Sequence, residues 1–289
     1  MSNIVYRYIN WNDSKARRFL TKNELFFYSA KSWEDNGEYN FNLDTLDENK
    51  ISERIYSIVQ KLYNYDFLEY QAWMNYQAHT YSINLNSLAE CELDLVDQYF
   101  SKRRANQIIS NPDDYKQSQK NLFFERTGIF CLSDSKRSYS LWNNKRNALS
   151  DNVVCIGIEE DILTEVILTH RNCTMNKINY ENEIPKYEIK FDTEGYDTML
   201  QLLTIVYQLP KTYASEEEIR IHRLFIDNSV GSKERIIDLT DSMFKEVIIL
   251  EEADIEVKRE IIDIARSKGI EKIRYAKIID YNIEINPSS

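Results

Sequence analysis

The period of the apolar residues changes twice along this chain, and that limits the folds open to it. Val5, Tyr6, Arg7 and Tyr8, then Leu25, Phe26, Phe27, Tyr28 and Ser29, form short aromatic and β-branched runs of the kind strands use. From about residue 47 to 115 the apolar residues recur at three and four instead, as at Ile51, Ile55, Ile58, Val59, Leu62 and Tyr63. That spacing lays an apolar stripe along a helix. Residues 67–79 and 88–109 continue it, and Asn111, Pro112, Asp113 and Asp114 end it with turn chemistry. Strand patterning returns at 127–133. The unbroken run Val153, Val154, Cys155, Ile156, Gly157, Ile158 reads as a strand buried on both faces. Further strands are expected at 166–169, 187–191 and 216–225. Helices are expected over 14–21, behind an Asn12-Asp13-Ser14 cap, and over 196–208. The tail reads as a strand at 247–250, a helix capped by Asp254 and stopped by Gly269, and closing strands at 272–278 and 282–285. Helices and strands do not alternate regularly. The expectation is an α+β fold with mixed, mainly antiparallel sheets, a helical insertion at about 47–115 and a C-terminal strand-helix-strand unit, all in one domain spanning 1–289.

Composition narrows the function. With 43% hydrophobic residues against 29% charged, the chain can build a core. Glycine is scarce, at 6 residues, and neither G-x-G-x-x-G nor G-x-x-x-x-G-K-[ST] occurs, so glycine-loop nucleotide folds are not expected. A net charge of −11 repels nucleic acid, and Lys102-Arg103-Arg104 reads as the polar face of a helix. No apolar run approaches the ~18–20 residues of a membrane span, and no secretory signal is visible, so the expected setting is cytoplasmic with no membrane. The four cysteines form no C-x-x-C pair, and Cys131 and Cys155 read as small buried hydrophobes. The three histidines are scattered, and no metal is predicted.

The candidate chemistry lies at 216–222. If a strand starts at Glu216, then Glu216, Glu218, Arg220 and His222 share one face, roughly 6.5–7 Å from one to the next. Two acids, a guanidinium and an imidazole on one face are either a solvated edge or a site.

Four blocks, in order, resemble a bacterial family known as domain of unknown function twenty-nine seventy-one. They are Val5-Tyr6-Arg7-Tyr8; the stretch 29–38, which keeps Trp33, Asp35 and Glu38 but loses the usual proline and asparagine; Gly128-Ile129-Phe130-Cys131-Leu132-Ser133 followed by Leu141-Trp142-Asn143-Asn144, without the usual His-Tyr; and Lys211, Tyr213, Glu216, Glu218 and Arg220. More distantly, a basic residue on an early strand, a strand ending in serine and a late E-x-E resemble the R–S–E-x-E layout of ADP-ribosyltransferases. That resemblance implies NAD as a substrate. Cleaving its nicotinamide–ribose bond passes through an oxocarbenium-like state, which a carboxylate bonded to the ribose 2′-hydroxyl would stabilise. Glu218 is assigned that role, and Glu216 would orient or deprotonate an acceptor. Arg7 would pair with the pyrophosphate, with Ser29 and Arg220 completing the set and Tyr28 or Trp33 stacking on the nicotinamide. The alternative is a non-catalytic protein-binding or sensing domain of a bacterial defence or toxin system, recognising a basic partner protein. A third reading uses Asp35, Glu38 and Glu218 to hold a divalent metal.

Overall fold

The computed structural model describes residues 3–30, 41–43, 48–65, 67–81, 93–111, 114, 117, 121, 124–170, 172–182, 187–189, 206–225, 231 and 233–287. The chain divides into two compact units. One is Met1–Asn40, Leu122–Pro185 and Thr204–Ser289; the other is Phe41–Asn121 and Lys186–Leu203.

The smaller unit holds the helical stretch. Its helices are α2 (Glu48–Tyr65), α3 (Phe67–Tyr81) and α4 (Leu93–Ser110). Val59, Tyr70, Met74, Ala78 and Phe100 close its core, as the three-and-four spacing requires. Asp97 is buried there and accepts from Tyr70 Oη at 3.2 Å and Gln60 Nε2 at 3.2 Å. Lys102, Arg103 and Arg104 lie on the exposed face of α4.

The larger unit is built on a mixed, mostly antiparallel sheet. Its strands are β1 (Ile4–Asn10), β3 (Tyr28–Ser29), β5 (Thr127–Ser133), β6 (Val153–Glu159), β7 (Cys173–Lys177), β11 (Glu218–Leu224), β13 (Phe244–Leu250), β14 (Lys272–Ile279) and β15 (Asn282–Pro287). The order is β15-β14-β13-β6-β1-β5-β11-β7, with β3 also paired to β5. In this sheet, among the described residues, the one parallel neighbour pair, β13 and β14, is joined through helix α7 (Ile255–Ser267), the crossover that parallel strands need. Gly269 ends α7 at φ +73°, which glycine adopts without penalty. Asp254 stands at the N-cap, but its carboxylate takes the Asn152 side-chain amide rather than a helix N–H.

Both faces of the sheet are covered. Helices α1 (Arg18–Thr21), α6 (Glu160–Thr169) and α7 pack on the face formed by Val5, Ile9, Phe130, Ile156, Ile219 and Val247. Helix α5 (Tyr139–Ala148) covers the other with Trp142, against Tyr8, Cys155, Ile248 and Ala276. Val153 to Ile158 alternate between these two cores, which explains their unbroken apolar run.

Several expectations are corrected. Residues 166–169 are helical: Ile162, Leu163, Val166 and Ile167 recur at helix spacing, and Glu160 and Asp161 sit in the first turn, where carboxylates favour the dipole. Over 14–21 only Arg18–Thr21 is α-helix, because Asp13 Oδ1 accepts from the Lys15 and Ala16 N–H groups and holds a tight turn first. The run 25–29 breaks at Phe27. Its first half, β2 (Glu24–Phe26), pairs with β12 (Ile236–Asp238) and its second half with β5. Most of 196–208 lies outside the described residues.

Candidate functional site

The cleft follows from one irregularity of the sheet. β1 is hydrogen-bonded to β6 along its whole length, from Ile4↔Glu159 to Asn10↔Val153, but to β5 only at Tyr6↔Ser133. The other edge of β5 is filled by β11, from Glu218↔Ser133 to Leu224↔Thr127. β3 therefore lies on the edge that β1 leaves, at Tyr28↔Ile129 and Ser29↔Gly128. The sheet splits after Tyr6, and Arg7 bridges the gap, its Nη1 donating to the Cys131 carbonyl at 2.6 Å. A cavity of about 390 Å³ opens at this split. Arg7 and Tyr28 line it, with Cys131, Lys145 of α5, Glu216, Glu218 and Arg220.

Glu216 and Glu218 both reach the cleft, though not as neighbours on one strand. Residues Lys211–Glu216 form a 3-10 turn, Glu217 is left-handed at φ 45°, and β11 begins at Glu218. Glu216 thus leaves the row shared by Glu218, Arg220 and His222. Its backbone carbonyl accepts from Ser133 Oγ at 2.7 Å, and its carboxylate accepts from Asn144 Nδ2 at 3.4 Å. β11 lies between β5 and β7, and Glu218 through His222 are all buried, so this is no solvated edge.

Glu218 is held firmly. Arg220 Nε donates to its Oε1 at 2.7 Å and Arg220 Nη2 to its Oε2 at 3.2 Å. Arg220 Nη1 donates onward to the Val206 carbonyl at 2.8 Å. The side chains are 6% and 2% exposed, so the two charges compensate each other out of water. Cys131 stands opposite Arg220 on β5. Burial and then the Glu218 carboxylate push its thiol well up, which leaves it neutral and a poor nucleophile. Burial also raises the Tyr28 phenol, against the pull of Arg7.

Of the other expected residues, Ser29 sits beyond the cleft lining, and its hydroxyl donates to the Phe124 carbonyl at 2.8 Å. Trp33, Asp35 and Glu38 lie outside the described residues. Among the described residues no cluster of three or more His, Cys, Asp or Glu forms a metal site, and no helix is long and apolar enough to cross a membrane. Sequence reasoning did not single out Lys145, a further cation of the cleft beside Arg7 and Arg220. A lysine in the last turn of a helix ordinarily reads as a complement to the dipole. Compared with known proteins, the chain matches no family model, no curated protein and no solved structure.

Proposed function

We propose that the cleft at the sheet split binds NAD, and that the chain is an ADP-ribosyltransferase-like enzyme of the bacterial family whose blocks it resembles. The observation that carries this is the convergence of Arg7 and Tyr28 from the start of the chain with Glu216 and Glu218, some 200 residues later, on one cavity. Its size falls in the range of about 300–1,000 Å³ typical of small-molecule sites. In this reading Arg7 faces the pyrophosphate and Tyr28 the nicotinamide. An ionised carboxylate offers about four lone-pair directions. Arg220 uses two of those on Glu218, so Glu218 keeps the capacity to accept the ribose 2′-hydroxyl as positive charge develops. Glu216, in the turn at the rim, orients the acceptor. The setting that goes with this reading is a cytoplasmic defence or toxin protein with a protein acceptor.

The test is thermal melting with millimolar NAD, together with assay of released nicotinamide. Binding by a folded wild type, with release abolished in Glu218→Gln and reduced in Glu216→Gln, supports the reading. Absence of both a shift and nicotinamide overturns it. Because Glu218 also anchors Arg220, the Glu216 variant keeps the test informative if the other folds poorly.

A second reading, a non-catalytic binding or sensing domain, is favoured by the clamp on Glu218 and by the Ser29 hydroxyl being turned to a backbone carbonyl. It predicts a ligand-induced melting shift with no turnover.

A further inference from the structure

Two cations line the cleft without a direct ion pair to a carboxylate among the described residues, although Asp13, Glu216 and Glu218 line the same cavity. Arg7 comes from β1 and Lys145 from the last turn of α5. The Arg7 guanidinium lies over the Phe130 ring, 4.4 Å from its centroid, and donates one bond to a backbone carbonyl. Its Nε is buried and has no hydrogen-bond partner. Among the described residues neither Arg7 nor Lys145 makes an ion pair. Counter-charge is not scarce in this chain, which carries 47 acids against 36 bases. Within the same unit Lys136 and Lys245, and Arg220 in the cleft itself, each have a carboxylate within reach.

Placing two like charges beside one cavity costs free energy. Burial and then Arg7 push the Lys145 ammonium down, while Glu216 and Asp13 oppose this more weakly. An anion bound between Arg7 and Lys145 removes the repulsion and gives both cations a direct counter-charge. Phosphate fits this best, because it offers several strong acceptor oxygens to a guanidinium fork and an ammonium together.

We propose that Arg7 and Lys145 form a phosphate-binding subsite, in which Lys145 is the specificity-determining residue for a phosphate-bearing small molecule. The inference rests on the cleft being a ligand site, and does not require that the ligand be NAD. The phosphate is either the pyrophosphate of a dinucleotide or the terminal phosphate of a monoester.

Calorimetric titration of the full chain with inorganic pyrophosphate, with ribose 5-phosphate and with NAD tests it. Lys145→Met, Lys145→Arg and Arg7→Met are compared with the wild type. The expected result is binding of pyrophosphate or of the monoester by the wild type. Lys145→Met should weaken that binding about tenfold or more, the worth of one charge-assisted contact, and Lys145→Arg should largely restore it. Lys145→Met removes a half-buried ammonium that makes no ion pair, so its melting temperature should match or exceed that of the wild type, which separates lost binding from lost folding. NAD binding that weakens in parallel supports the subsite and assigns it a dinucleotide. Pyrophosphate or monoester binding without NAD binding supports the subsite and removes the NAD reading. NAD binding that is indifferent to Lys145→Met overturns the subsite and leaves the NAD reading standing. No binding of any of the three overturns it as well.

Discussion

The Glu218–Arg220 pair can be tested as a unit. Both side chains are almost fully buried, and Arg220 donates twice to the carboxylate and once to the Val206 carbonyl. Arg220→Leu leaves a buried carboxylate with no cation and an orphaned carbonyl. Breaking one side of a buried pair costs about 3–5 kcal/mol, a large part of the stability of an ordinary domain. Replacing both partners is different: Glu218→Leu with Arg220→Leu removes both desolvation penalties and adds apolar surface beside Cys131. The double variant should therefore lie within about 1–2 kcal/mol of the wild type. Urea unfolding at pH 7, followed by circular dichroism, reads the midpoints of wild type, both single variants and the double variant, with an unchanged m-value as the check on the unfolded state. The two losses should be strongly non-additive. The reasoning is refuted if Arg220→Leu costs less than about 1 kcal/mol, since the carboxylate must then be hydrated in the folded state. It is refuted equally if the double variant loses the sum of the singles, because the pair would then be stabilising in itself.

Three further outcomes follow from single residues. His222 is buried with neither ring nitrogen hydrogen-bonded, and burial pushes its imidazole down to about 4. The folded state resists its protonation, so stability is fully present above about pH 6.5 and is lost as pH falls toward 4, by about 3 kcal/mol. His222→Leu should flatten that limb in urea melts stepped from pH 7 to 4, and an unchanged limb would contradict it. A Cβ on Gly157 would stand 2.8 Å from Glu246 Cγ and 3.0 Å from Ile4 Cγ2. Glu246 is fixed by Tyr6 Oη at 2.8 Å and Lys136 Nζ at 2.9 Å, so Gly157→Ala should cost about 1–3 kcal/mol in the urea midpoint. Glu217→Gly should be neutral or stabilising by up to about 1 kcal/mol in the same assay, because it relieves the left-handed backbone where the 3-10 turn meets β11.

What the sequence made legible is local. The three-and-four spacing of Ile51, Ile55 and Val59 announced a helix, and the run from Val153 to Ile158 announced a strand covered on both faces, because each pattern records which faces are buried. The helix over 255–267 and its glycine stop were legible for the same reason. Patterns of this kind fail where a short-range bond competes with periodicity. The turn around Asp13 shortened a helix, and the left-handed Glu217 moved Glu216 off the strand that alternation had assigned to it. The cleft was hidden for a different reason. It exists because β1 leaves β5 after one residue pair and β3 takes the vacated edge, and both events concern pairing between segments more than 90 residues apart. No window of sequence contains that information. Lys145 shows the consequence: on α5 alone it is an ordinary terminal lysine, and only the split that brings Arg7 to the same cavity turns two unremarkable cations into an unbalanced pair. The residues that reward a search in such a chain are therefore charges whose partners are missing once the strands are in register, more than the charges that cluster in sequence.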